Sequence, residues 1–224
     1  MEYFDGSNNN NNLSIDPAYQ NRRYVYKAIK RIFDFVASFL GLILLSPLFL
    51  IVAIAIKLED SKGSVFYSQV RLGKKQEPFK MYKFRSMEVH ADEHLKELLS
   101  ENEVEGAMFK MKDDPRVTKV GRFIRKYSID ELPQLVNVLL GNMSLVGPRP
   151  PLPREVKDYT DYDKQRLVVK PGCTGLWQIS GRNDVGFPEM VQLDLKYINH
   201  RGLMFDLYIM FKTIGVFVMP NSAY

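Results

Sequence analysis

Cysteine is almost absent from this sequence: Cys173 is the single thiol in 224 residues. One cysteine cannot close an internal disulfide or supply a zinc ligand set, which excludes a disulfide-stapled scaffold and a cysteine-based metal centre. Its surroundings, Pro171-Gly172-Cys173-Thr174-Gly175, read as a turn. Histidine is scarce as well, at three residues. His90 and His94 are four apart, but His90-Ala91-Asp92-Glu93-His94 misplaces the glutamate of a metalloprotease helix, and the segment is charged all round, which disfavours zinc. A secretory leader is not visible either. Met1–Asn12 has no basic start and ends in a run of asparagines, with nothing to bury, so a disordered tail is expected. A chain facing the cytosol is the simplest reading. Negative charge is in deficit, leaving a net charge of +5. Nucleic acid, phospholipid and a phosphorylated substrate are all compatible partners, as is a merely basic surface.

One long stretch lacks charge altogether, from Phe35 to Ile56. At 1.5 Å per residue it makes a helix of about 33 Å, enough to cross a hydrocarbon core. Lysine and arginine flank it on both sides (Lys27, Lys30 and Arg31 before, Lys57 and Lys62 after), so charge assigns no orientation to a single span. Ser46-Pro47 lies at its middle. Proline removes a backbone hydrogen bond there, and the serine hydroxyl can satisfy a freed carbonyl. A sharp bend that returns the chain to one face and a modestly kinked spanning helix both fit. Asp34, one turn after Lys30 and Arg31, either pairs with them at the interface or stays solvated.

Beyond Asp60 the pattern is that of a soluble domain. Val65–Val70 and Phe79–Phe84 predict a hairpin around Gly73-Lys74-Lys75-Gln76. Helical spacing predicts a surface helix over Met87–Leu99, a basic helix over Val117–Lys126, and a third over Glu131–Leu140 stopping at Gly141. Phe205–Val218 suits an interfacial or a core helix equally. The expected fold class is α+β, mainly helical, with a polar tail over 1–24, a membrane helix with a break over 25–60 and a catalytic domain over 61–224.

Asp130-Glu131 is the best candidate for chemistry. As an N-cap Asp130 would leave Pro133 as the third helical residue, so ordinary capping explains the pair. Arg122, Arg125 and Lys126 just before it, and Gly147-Pro148-Arg149-Pro150 after it, equally suggest a phosphate site. There a carboxylate can attack phosphorus while its neighbour holds a hard divalent cation. Two prolines restrict the backbone around Arg149, which fits a bidentate phosphate grip or a structural salt bridge. Lys83 and Arg85 add two cations at the end of the second hairpin strand.

From about Tyr26 onward the chain resembles the bacterial sugar transferases, the monotopic polyprenyl-phosphate phosphoglycosyl transferases. The resemblance rests on ordered motifs: Lys30-Arg31-x-x-Asp34 before an apolar segment with Ser46-Pro47, Lys83-Phe84-Arg85-Ser86-Met87, Asp114-Pro115-Arg116-Val117-Thr118, Ser128-Ile129-Asp130-Glu131-Leu132-Pro133-Gln134, Ser144-Leu145-Val146-Gly147-Pro148-Arg149-Pro150, and Gly175-Leu176-Trp177-Gln178. It implies that Asp130 attacks the β-phosphorus of a UDP-sugar, releasing UMP, and that undecaprenyl phosphate then takes the phosphosugar. Glu131 would assist, with Mg²⁺ as cofactor at Asp130 and Glu131. Arg149 would hold phosphate, with Arg85, Arg125, Asp194 and Lys83 as further site candidates. It also implies that Ser46 and Pro47 break a re-entrant helix, with both flanks at the cytoplasmic face of the inner membrane.

The segment from Gly175 to Val185 looks most like members that transfer galactose 1-phosphate or glucose 1-phosphate to start exopolysaccharide, capsule or O-antigen-type assembly. The likeness is to the short form, without additional transmembrane helices ahead of the catalytic part. An N-acetylated sugar is the alternative donor. A diphosphate hydrolase and a non-catalytic membrane assembly partner are the competing classes, and a homodimer is allowed. Nucleic acid is not an expected partner, since the basic residues flank apolar segments without a nucleic-acid-binding motif.

Overall fold

The computed structural model describes residues 13–91, 93, 111, 114–180 and 185–218. Among the described residues the chain is mainly helical with two small sheets, an α+β arrangement. Part of the 1–24 segment expected as a polar tail is helical. Leu13 and Ile15 pack on the main core, and α1 (Pro17–Arg22) starts at Asp16, whose carboxylate accepts from the amides of Ala18 and Tyr19 at 2.8 and 3.1 Å.

The apolar run forms two helices, α2 (Tyr24–Leu44) and α3 (Ser46–Glu59), bent by 58° at the break. Pro47 sits in the first turn of α3, where its missing N–H costs nothing, and the Ser46 hydroxyl donates to the Ile43 carbonyl at 2.8 Å. Among the described residues no single helix is long and apolar enough to cross a membrane, whereas this bent pair together reaches that length and composition. Both outer ends of the pair are fastened to the same body. Arg31 donates to the Val138 and Leu139 carbonyls at 2.6 and 2.8 Å, and Lys30 reaches Asp206 at 2.9 Å. Asp34 is buried, accepting from the Ser144 hydroxyl at 2.7 Å and the Leu145 amide at 3.2 Å. It therefore clamps α2 onto the domain, with Lys30 a further 4.0 Å away, and is not a solvated interfacial charge. At the far end, Glu59 accepts from the Lys119 and Val120 amides.

The expected hairpin is β1 (Phe66–Leu72) against β2 (Pro78–Phe84), antiparallel with Phe66 opposite Phe84 and Leu72 opposite Pro78. Its Lys74–Gln76 turn places Lys75 and Gln76 at positive φ. Most of the Met87–Leu99 segment lies outside the described residues; Met87 itself bridges to Val117. The basic helix is α4 (Lys119–Lys126), capped by Thr118. The third expected helix is shorter than its sequence pattern. Ile129–Glu131 is a 3-10 turn and α5 runs Gln134–Leu140, so Asp130 is not a helix N-cap. The cause is Ser128, which at φ 51° turns the chain left-handed after α4 and lets one tight turn form before Pro133. Gly141 ends α5 at φ 88°, as expected of a glycine stop.

Two short strands, β3 (Ser144–Val146) and β4 (Gly172–Thr174), pair in parallel. The Cys173 segment is thus a strand and not a turn, because its hydrogen-bonding partner comes from a segment distant in sequence. Among the described residues the remaining α-helices are α6 (Pro153–Lys157), α7 (Asp161–Lys164), α8 (Leu176–Ser180), α9 (Phe187–His200) and α10 (Leu203–Val218). The main core gathers Val138, Met143 and Val146 against Leu176, Val191, Leu195, Ile198 and Ile209. A second cluster joins Val52 and Ile56 of α3 to Phe84 and to Ile124 of α4. Helix α10 buries Ile209 in the core while leaving Met204, Phe211 and Ile214 exposed.

Candidate active site

The site forms where β2, the Asp130 turn, the Pro148–Pro150 loop and α8 converge. Asn137 of α5 aligns the first two. Its amide donates to the Lys80 carbonyl at 2.7 Å and its carbonyl accepts from the Tyr82 amide at 2.9 Å, so α5 is stitched to β2. That stitch brings Lys83 to Glu131, Nζ to Oε1, at 2.6 Å. A cavity of about 140 Å³ opens beside this pair, with Arg71, Arg149, Trp177 and Gln178 among the other residues lining it.

Asp130, the residue before Glu131 in the same tight turn, is buried to 7% exposure. Burial pushes its carboxyl up to about 6; Lys83 and Arg125 oppose the rise and the adjacent Glu131 adds to it. Burial also works against ionisation of Glu131, but Lys83, Arg149 and Arg71 outweigh it and hold that carboxyl below its ordinary value. Two neighbouring carboxyls pushed in opposite directions by their surroundings are a signature of acid, base or nucleophile chemistry.

The loop carrying Arg149 is built by close backbone approach. Gly147 donates to the Thr174 carbonyl and Gly172 to the Pro148 carbonyl, each at 2.9 Å. A Cβ on Gly172 would lie 2.0 Å from the Gly147 nitrogen, so only glycine fits. Arg149 lines the cavity and also reaches Glu155 at 3.3 Å, the salt bridge that was one of the two roles its sequence left open. Beneath it, Arg166 is fully buried against Asp194 in an ion pair and donates to the Arg149 carbonyl at 3.3 Å. Burial raises the Asp194 carboxyl to about 6 despite Arg166. Asp194 does not line the cavity; it supports the loop from below.

The structure thus brings together Lys83, Asp130, Glu131 and Arg149, with Arg125 close enough to act on Asp130. It does not bring Arg85 to them. That guanidinium is engaged by the Asp60 carboxylate and, at 2.9 Å, by its carbonyl, fastening the end of α3. Residues not assigned to the site from sequence also line the cavity. Arg71 is buried, donating to the Pro150 carbonyl at 3.0 Å and to Gln69 at 2.8 Å, and burial with repulsion from Arg149 lowers it to about 10. Trp177 and Gln178 sit in a motif the sequence displays, but their direction depends on α8. Arg71 Nε, Trp177 Nε1 and Gln178 Oε1 are buried without hydrogen-bond partners among the described residues, a costly state that a polar ligand would relieve.

Among the described residues no group of three or more histidine, cysteine, aspartate or glutamate side chains is arranged to hold a metal ion. One Glu131 oxygen already takes the Lys83 ammonium. The second oxygen and Asp130 suit a hard cation that takes one or two carboxylates and completes its shell with phosphate oxygens and water, the habit of Mg²⁺.

A family model described as bacterial sugar transferase matches residues 25–220. The chain is 46% identical over 204 residues to a protein named galactosyl transferase CpsE from Streptococcus agalactiae, covering 90% of this chain and 44% of that one. It is 46% identical over 200 residues to the undecaprenyl-phosphate galactose phosphotransferase of Salmonella typhimurium, covering 88% and 42%. The exopolysaccharide production protein ExoY of Sinorhizobium fredii is 45% identical over 199 residues, covering 87% and 88%. The chain therefore spans less than half the length of the first two and most of the third. On the family match and on these identities, the chain belongs to the bacterial sugar transferase family.

Proposed function

We propose that this chain transfers a sugar 1-phosphate, galactose or glucose, from a UDP-sugar to undecaprenyl phosphate at the cytoplasmic face of the inner membrane, initiating assembly of a surface polysaccharide. The observation that carries this reading is the Asp130-Glu131 pair, split by its surroundings beside a cavity lined by Lys83, Arg71 and Arg149. Cations around a recess suit a diphosphate, and Arg149 offers the planar fork that matches phosphate oxygens.

In the first step the ionised Asp130 oxygen attacks the β-phosphorus. A new phosphorus–oxygen bond forms to the carboxylate as the bond to the bridging oxygen breaks, and UMP departs with that oxygen and its electron pair. In the second, a phosphate oxygen of the lipid attacks the same phosphorus and the phosphorus–oxygen bond of the Asp130 acyl phosphate breaks. The products are a polyprenyl diphosphate sugar and a free carboxylate. Lys83 keeps Glu131 anionic and, with Arg149, offsets the charge of the diphosphate. Mg²⁺, held by Asp130 and Glu131, would neutralise phosphate charge when bound.

The bent pair α2–α3 supports a re-entrant seat in the membrane, because both of its outer ends grip one body while Ile43, Leu44, Leu50 and Ile51 around the break are exposed and apolar. The galactose preference draws on the names of two relatives; an N-acetylated sugar is the competing donor.

The test is to incubate detergent-solubilised protein with UDP-galactose or UDP-glucose, undecaprenyl phosphate and Mg²⁺, and to identify the nucleotide released. UMP with a lipid-linked sugar, from wild type and not from Asp130→Asn, is expected. Release of UDP would mean transfer without phosphate and would sink the mechanism.

A further inference from the structure

Beside Asp130 there is a second recess, of opposite character. Phe123 and Tyr127 of α4, with Ile129 and Leu132 of the Asp130 turn, line an apolar groove of about 340 Å³ that is broadly open to the surroundings. Phe123 is 58% exposed, and its ring lies 5.1 Å from that of Tyr127. Side chains alternate around the carboxylate. Ile129 and Leu132 line the groove, Glu131 and Gln134 line the cation-rich cavity, and Asp130 lies between Ile129 and Glu131 in the same tight turn.

We propose that this groove seats the isoprenoid chain of the phosphorylated lipid acceptor, so that Asp130 meets its donor from the polar cavity and its acceptor from the apolar groove. The assignment rests on the transfer reaction proposed above. Three observations favour an isoprenoid over other occupants. The groove adjoins α3, since Ile129 in its wall packs against the cluster holding Val52 and Ile56 of that helix, and Leu50, Ile51, Ile54 and Leu58 on the same helix are exposed and apolar. The groove's helix is also basic: Arg122, Arg125 and Lys126 lie on α4, with the Lys126 ammonium 5.6 Å from the Tyr127 ring centre. These cations suit the acceptor's phosphate. Finally, the reaction needs the acceptor phosphate at the phosphorus borne by Asp130, and a chain running between Ile129 and Phe123 leaves its head there. A UDP-sugar finds almost no hydrogen-bonding partner in such a groove and is better served by the other recess.

The two half-reactions separate this assignment from a general role. Phe123→Ala and Phe123→Leu are compared with wild type by single-turnover release of UMP without acceptor, by steady-state KM for undecaprenyl phosphate, and by partition onto vesicles of phosphatidylethanolamine and phosphatidylglycerol. The donor half-reaction and vesicle partition should match wild type. The acceptor KM should rise roughly tenfold in Phe123→Ala, the loss expected for one aromatic contact with the chain, and return most of the way in Phe123→Leu. A photoreactive farnesyl phosphate should label residues between Phe123 and Leu132. An unchanged acceptor KM, labelling confined to α2 and α3, or a loss that follows reduced vesicle partition would overturn the groove assignment, the last showing that Phe123 docks on bulk lipid. Wild type that releases no UMP from any donor would remove instead the reaction on which the assignment rests.

Discussion

Lys83 Nζ lies 2.6 Å from Glu131 Oε1, joining the end of a β-strand to the turn that carries Asp130. The same ammonium acts on both carboxyls, holding Glu131 down and limiting the rise of Asp130.

A pH profile follows from this contact. A carboxylate attacks phosphorus only when ionised, so activity should fall as pH drops through about 6, where Asp130 takes up its proton. Lys83→Met keeps most of the stem and removes the charge, so the acid limb of kcat/KM should move to higher pH. An unmoved limb would mean that the ionisation controlling the rate belongs elsewhere.

The buried pair of Arg166 and Asp194 supports the Arg149 loop without lining the cavity. Asp194→Asn leaves a guanidinium buried with no counter-charge, and a loss of about 3–5 kcal/mol is expected, read as a lower Tm. The double variant Arg166→Met with Asp194→Leu should recover most of that stability. If Asp194 instead touched substrate, Asp194→Asn would lose activity at full stability.

Trp177 and Gln178 present a donor and an acceptor that no group among the described residues satisfies. Trp177→Phe removes this N–H and retains an aromatic ring. Its stability should hold within about 1 kcal/mol of wild type while KM for the UDP-sugar rises several-fold. A donor KM equal to wild type would place the sugar and nucleotide away from this wall.

For the helix pair, Arg22→Cys and Ser61→Cys, each in a Cys173→Ser background, place a thiol at either exposed outer end. An impermeant maleimide should modify both from the same side of sealed membrane vesicles. Labelling from opposite sides would make α2–α3 a crossing.

Much of this architecture was legible locally. The charge-free run, the Ser46-Pro47 break, the hairpin and the Gly141 stop depend on neighbours within a few residues, and each formed where its pattern places it. Asp130 and Glu131 stood out through the cations around them in sequence. Other features had no local signal. Ser128 adopts a left-handed conformation that its residue type does not demand, and that turn shortened the third helix. Arg85 reads as a site cation until Asp60 takes it, and Asp194 reads as a site carboxylate until Arg166 buries it.

The sequence by itself determined where the bent helix pair, the hairpin and the basic helix lie, which stretch is charge-free and apolar, and which residue types are available for phosphate chemistry, because periodicity, proline and glycine act over a few residues. Tertiary structure alone decided which cations face the cavity, that Asp34 clamps a helix to Ser144, and that the turn carrying Asp130 contributes Glu131 to a polar recess and Ile129 to an apolar one. Those outcomes depend on hydrogen bonds and burial between groups far apart in the chain, and no local pattern records such partners.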